Sequence, residues 1–402
     1  MVPLRSLVIL LACVTLVAAC VGPTALHRSV LAYDETTLQI EQQLLLLNIA
    51  RWHAGLPLHF TTTSSIAATF DWTKVVGVGG RLEEGPRGFQ SMNLNLGASA
   101  SENPTFSIVP LSGEEFTKRL LTPLQDKTFE FIVYLGRPID QVMRLTARGI
   151  QVQGPDGSFV KFIENHPRRP DEYREFRQIA LHLAWLQANR QLFVRSLVFE
   201  DILIKDVQEV PEADDIGKGL QLGLTWRQKS NGHFQLTKLT AGRVVVTNFD
   251  PDALSNQEKW TLNEKIKKLP AGFVYVDIRP DYPGGKFPLH GAIKLRSFSG
   301  IISFLADCIS KFPEFAVQQD LRTGSVLDPR TGRVGKNPRA ILEIKVTNTR
   351  PPIHILAINF QGKYYSVADT DWDRDIFRFL AYVFQTTVAE VKGPGIPITI
   401  AK

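Results

Sequence analysis

The stretch LQLGLTWRQKSNGHFQLTKLTAGRVVVTN, residues 220–248, decides the fold class. Residues 220–227, 233–239 and 243–248 are rich in Leu, Phe, Thr and Val, types that suit a pleated surface, and their spacing predicts a three-stranded meander. Ser230-Asn231-Gly232 marks its first turn, because Asn-Gly tolerates the positive φ that a tight hairpin needs. Just before it, residues 208–218 are acidic, contain Pro211 and show no apolar period, so they read as a linker.

Upstream of the linker the apolar spacing changes to that of helices. Residues 171–193 carry Tyr173, Phe176, Ile179, Ala180, Leu183 and Leu186 on one face and predict an amphipathic helix. Residues 150–153 and 158–163 predict a hairpin around Gly154-Pro155-Asp156-Gly157. Helices are expected at 34–54, 129–135 and 139–147, and Ser112-Gly113-Glu114-Glu115 fits a capping box that opens another at 114–121. Residues 92–96 and 105–109 read as strands around Ser101-Glu102-Asn103-Pro104. Downstream, Ser255-Asn256-Gln257-Glu258 is a second capping box, and helices are expected at 301–309 and 371–389. Strands are expected at 273–278, 292–296, 341–346, 353–360 and 364–367. This pattern predicts an α+β protein, with a helix-rich N-terminal region containing β-hairpins and then a mainly antiparallel sheet domain with helices on one face.

The N-terminus carries an address. Arg5 precedes the apolar run 7–17, which is too short to span a bilayer comfortably and has the form of a secretory signal peptide. Val17-Ala18-Ala19-Cys20 follows and resembles the lipobox of bacterial lipoproteins, with Val17 where Leu is commonest. The resemblance implies a diacylglyceryl thioether on Cys20, removal of the preceding peptide and acylation of the new amine. Val21 is not the Asp that retains some such proteins in the inner membrane, so an outer-membrane location facing the periplasm is implied. The expected organisation is a signal peptide at 1–19, a tether at 20–32, a helix-rich domain at 33–207, the acidic linker at 208–218 and an α+β domain at 219–402.

Composition narrows the function classes. Among 402 residues, 46 Lys and Arg face 40 Asp and Glu, and the basic residues are scattered, without the stripe and interleaved aromatics of a nucleic-acid surface. Of three cysteines, Cys13 leaves with the signal peptide and Cys20 is modified, so Cys308 has no intramolecular partner. Cys308 lies in an apolar helix and reads as a core residue.

The motifs that approach known chemistry each fail on spacing or context. Val76-Gly77-Val78-Gly79-Gly80 has Leu82 where a dinucleotide loop needs its third glycine, and reads as a flexible loop. Gly97-Ala98-Ser99-Ala100-Ser101 lacks the closing glycine of a nucleophile elbow. Ser158 and Lys161 match Ser-x-x-Lys, but in a strand they point to opposite faces. Asp369, Asp371, Asp373 and Asp375 alternate like a calcium loop, yet Arg374 takes the glycine position and Leu380 the bidentate glutamate position; Asp371 reads instead as a helix N-cap. His53 and His59 have no third ligand between them, and His182 beside Trp185 reads as helix packing.

Three pieces together resemble a family of bacterial outer-envelope lipoproteins of unassigned function. They are the lipobox, Glu102-Asn103-Pro104-Thr105 leading to Gly113-Glu114-Glu115-Phe116 and Leu120-Leu121-Thr122-Pro123, and residues 369–385. The resemblance implies location and overall shape and supplies no catalytic residue. The expectation is a membrane-anchored, non-enzymatic envelope lipoprotein with soluble binding or scaffold domains, without a cofactor or metal. Its expected partners are the membrane, through Cys20, and an envelope protein, with no nucleic acid. The alternatives are an envelope hydrolase, or a carrier of a small or apolar ligand.

Overall fold

The computed structural model describes residues 4–80, 92–154, 156–325, 335–388 and 398–400. In chain order the elements are α1 (Leu4–His53), β1 (Phe60–Gly80), β2 (Met92–Leu111), α2 (Glu114–Leu121), α3 (Asp126–Tyr134), α4 (Ile139–Thr146), β3 (Ala147–Gln153), β4 (Phe159–Glu164), α5 (Pro170–Ala188) and β5 (Phe193–Val207). Then follow α6 (Ala213–Gln221), β6 (Leu224–Gln228), β7 (Phe234–Thr247), α7 (Asn256–Ile266), β8 (Phe273–Ile278), β9 (Leu289–Leu295), α8 (Phe298–Ser310), β10 (Ile344–Thr347), β11 (Ala357–Phe360), β12 (Lys363–Val367), α9 (Asp371–Val388) and β13 (Ile398–Ile400). The fold is α+β.

The chain forms two units. The first comprises Met1–Asn48, Pro57–Glu114 and Glu390–Lys402, and the second Ile49–Leu56 with Glu115–Ala389. In the first unit β1 and β2 pair antiparallel along their full length, from Phe60 opposite Leu111 to Gly80 opposite Met92. Asn48 ties the helix to the start of this ribbon, its Nδ2 donating to the His59 carbonyl at 3.0 Å and its Oδ1 accepting from the His59 N–H at 2.8 Å. The expected turn at Ser101-Glu102-Asn103-Pro104 is absent, because these residues lie inside β2 opposite Asp71 to Ala68. Pro104 is tolerated because β2 has no strand on its other side there among the described residues, so no ladder donor is missed.

The second unit is built on a seven-stranded sheet of order β4-β3-β9-β8-β7-β5, with β6 added beside β7. All pairs are antiparallel except β7 with β8, which run parallel through Val245–Thr247 and Tyr275–Asp277. Its centre is apolar on both faces, with Val244, Val245, Val246, Val274, Val276 and Ile293 fully buried. α7 covers one of these faces, where Ile266 packs on Leu197, Phe199, Val245 and Tyr275. The six apolar residues read from the spacing of α5 are all buried, and Pro170 opens that helix at its first turn, where a missing N–H costs nothing. A smaller antiparallel sheet, β10-β12-β11, turns at Gln361 and Gly362, both with positive φ.

The deciding stretch differs in detail from its reading. The Asn231-Gly232 turn is present, with Gly232 at φ 85° and the Lys229 N–H bonded to the His233 carbonyl at 2.8 Å. The second and third expected strands are one continuous strand, β7, because β5 pairs along its whole length and bends with it through bulges at Ser196/Val198 and Ile202/Ile204. Leu220 belongs to α6, which occupies most of the expected 208–218 linker, and β5 before that stretch and β6 after it both pair with β7 in one sheet.

Candidate functional site

The densest buried polar constellation lies between α4, α5 and the segments around residues 314 and 337–341. Every residue of α4 is buried, including Asp140, Gln141 and Arg144. On α5, Tyr173 and Arg177 stand one turn apart on the buried face. Arg177 Nη1 donates to Tyr173 Oη at 2.9 Å, and Tyr173 Oη donates to Glu314 Oε1 at 2.6 Å. Glu314 Oε2 accepts from the Ile341 N–H at 2.7 Å, and Arg144 Nη2 lies 3.6 Å from Glu314 Oε1. Both guanidiniums donate to the Arg339 carbonyl, at 3.3 Å from Arg144 and 3.1 Å from Arg177, while Arg177 Nη2 reaches Asn337 Oδ1 at 2.6 Å.

The electrostatics follow from burial. Arg144 is 1% and Arg177 0% exposed, and burial, followed by the like charge of Arg177, holds the Arg144 pKa below its ordinary value. Burial also raises Tyr173 well above the usual phenol range, and Glu314 adds to this, so its hydroxyl stays a donor. Asp140, one turn from Arg144, is raised by burial against the pull of Arg144. Beneath the cluster, Arg296 Nη1 donates to the Arg144 and Leu145 carbonyls, both at 3.0 Å, and burial brings its pKa down to about 10. This arrangement clamps segment 337–341 to two helices. Arg144 Nε and Nη1 and Arg177 Nε make no hydrogen bond, and they are donors of the kind that hold an oxyanion.

A second constellation sits on the sheet. Tyr275 and Asp277 share one face of β8, and His290 opposes Asp277 on β9. His290 Nδ1 lies 3.2 Å from Asp277 Oδ1 and 3.3 Å from Tyr275 Oη, and Lys265 Nζ is 3.4 Å from His290 Nε2. Burial pushes Asp277 upward, but hydrogen bonds from His290 and from Arg279 Nε, at 2.8 Å, outweigh it and leave the carboxyl below its ordinary value. A carboxylate orienting an imidazole is the base half of an acid–base site.

The motifs singled out in the sequence fall as follows. Val76 to Gly80 lie in β1, not in a loop, and Gly97 to Ser101 lie in β2. Ser158 Oγ donates to Asp156 Oδ1 at 2.6 Å, whereas Lys161 pairs with Glu175 at 2.7 Å, so the two share no proton. Thr370, not Asp371, caps α9: its Oγ1 accepts from the Asp373 N–H at 3.1 Å. Arg374 binds Asp369 and Asp371, Asp373 accepts from the Glu343 N–H at 2.7 Å, and Asp375 pairs with Arg137 at 2.6 Å. His53 contacts Tyr365 Oη at 3.0 Å and Ser310 Oγ at 2.9 Å, and His59 is joined to Asn48. His182 lies between Thr323 Oγ1 and the Gly284 carbonyl, each at 3.0 Å, stacked on Trp185. Cys308 is half-buried, and burial followed by Glu314 raises its thiol pKa, which keeps it protonated and a poor nucleophile. Cys20 falls within α1 at a position whose side chain is outside the described residues.

Among the described residues no group of three His, Cys, Asp or Glu has metal-holding geometry, and no helix is long and apolar enough to cross a membrane. No family model, curated protein or solved structure matches the chain. Sequence reasoning missed Arg144, Arg177 and Glu314. The available signal was an arginine at 177 inside the apolar stripe of α5, one turn after Tyr173.

Proposed function

We propose that this protein is an exported lipoprotein of the cell envelope, held by acyl chains on Cys20 in the outer membrane facing the periplasm, whose folded body binds an envelope component without catalysing a reaction. The observation that carries the reading is Val17-Ala18-Ala19-Cys20 after a short apolar run with Arg5 before it. The buried charges of the body support the binding part: Arg177, Tyr173 and Glu314 fix a surface segment in place, as a rigid docking platform needs.

Growth with radiolabelled palmitate tests the anchor. The wild type takes up label and Cys20→Ala does not; a labelled variant or an unlabelled wild type overturns it. Cross-linking in intact cells followed by mass spectrometry tests the binding: a near-stoichiometric envelope protein is expected, and recovery of the chain alone counts against it.

The Asp277–His290 pair favours a second reading, an envelope hydrolase with His290 as base. On that reading His290→Ala abolishes turnover of an envelope polymer by the purified protein; equal turnover in both forms removes it.

A further inference from the structure

We propose that the β1–β2 ribbon inserts into the bilayer and, edge to edge with the ribbons of further copies of this chain, closes a transmembrane β-barrel with a polar lumen. The register is the starting point. From Ser65 opposite Ser107 to Gly80 opposite Met92 it runs without a slip, so successive positions alternate between two faces. One face carries Trp72, Val76 and Val78 of β1 and Leu94, Leu96 and Ala98 of β2. The other carries the opposed pairs Asp71–Ser101, Thr73–Ser99 and Gly77–Asn95. A ribbon whose two strands sort apolar from polar residues together, position by position, has the alternation of a barrel strand with lipid on one side and water on the other.

The length fits. Residues 70–80 pair with residues 92–102 in continuous register, and a strand crossing the hydrocarbon at a tilt takes about 9–11 residues. Three positions depart from the pattern. Val75, opposite Gly97, lies on the polar face, and Lys74, opposite Ala98, and Glu102, opposite Phe70, are charges on the apolar face. Glu102 stands at one end of the band, whereas Lys74 stands near its middle, a position a long cationic side chain occupies by reaching to the headgroups.

The strand edges supply the need for further copies. Among the described residues β1 pairs only with β2, and β2 meets β13 only at Phe106 to Ile108, outside the band. A lone ribbon in lipid leaves two rows of unpaired N–H and C=O groups, each costing several kcal/mol, and only closure removes both edges. The smallest such barrels have about eight strands, hence at least about four copies at two strands each. The inference uses export to the envelope but not the acyl chain on Cys20, so the two fail separately.

The test is single-cysteine labelling of the full chain in native envelope membranes, in a Cys308→Ser background, with a membrane-impermeant maleimide. Asn93→Cys and Asn95→Cys are expected to label several-fold faster than Leu94→Cys and Leu96→Cys, and the same alternation is expected with Cys20→Ala added. Chemical cross-linking of the same membranes is expected to give a discrete homo-oligomer of at least about four copies. Uniform labelling overturns the proposal, as does protection of positions 94 and 96 that persists in a monomer freed from membranes by alkaline carbonate. A partner protein of different sequence cross-linked to the ribbon in place of a second copy overturns it as well.

Discussion

Glu314 is one carboxylate serving the buried Arg144 guanidinium, a phenol and a backbone N–H, and Arg177 reaches it through the Tyr173 hydroxyl. Glu314→Ala removes the carboxylate beside the buried Arg144, and a loss of about 3–5 kcal/mol is expected in urea unfolding, the size found when one member of a buried ion pair is removed. Glu314→Gln keeps an acceptor for Tyr173 and should lose less. His182 gives a pH dependence. Burial, only partly offset by its bond to Gly284 and reinforced by Arg322, holds its pKa below the usual value near 6.5. The unfolded chain therefore takes up this proton at higher pH than the folded one, so the stability is fully present above about 6.5 and is lost as pH falls from there through the lower folded value. The urea midpoint should drop between pH 7 and pH 5, and His182→Gln should flatten that slope. Gly284 touches the same ring: its φ is 76°, and a Cβ there would stand 2.4 Å from Leu186 Cδ2. Gly284→Ala should cost about 1–3 kcal/mol in the same measurement, the range for a strained backbone position.

Elements with local signals matched their reading closely. α2 spans Glu114–Leu121, and β8 spans Phe273–Ile278, both as read from the sequence. The Ser255 capping box is complete: Ser255 Oγ accepts from the Glu258 N–H at 3.3 Å, and Glu258 Oε2 accepts from the Ser255 N–H at 2.8 Å. Ser255→Ala should lower stability by about 1 kcal/mol, read by thermal or urea unfolding. Elements whose extent depends on a neighbour were misread. Residues 92–96 and 105–109 read as two strands around 101–104, whereas pairing with β1 carries β2 through all of them. Residues 233–239 and 243–248 read as two strands, whereas pairing with β5 along both makes them one.

In the whole molecule the large sheet takes β3, β4 and β5 from before residue 208 and β6, β7, β8 and β9 from after it. A fragment of residues 219–402 would expose the edges of β9 and β7 that β3 and β5 pair with. It should be insoluble or lack a cooperative unfolding transition, whereas co-expression with residues 33–207 should restore both; a fragment that folds alone would refute this. The Ser255 capping box and the α5 stripe are contiguous, so their chemistry is written in neighbouring residues and is read directly. The clamp around Glu314 draws on residues up to 195 positions apart in its Arg144–Arg339 contact, and no spacing rule links them. The same holds for Asp277 and His290, which become partners only through the β8–β9 register. Local propensity and periodicity act over a few residues and specify elements, whereas strand neighbours and buried charge partners depend on which elements meet, which only the folded chain decides.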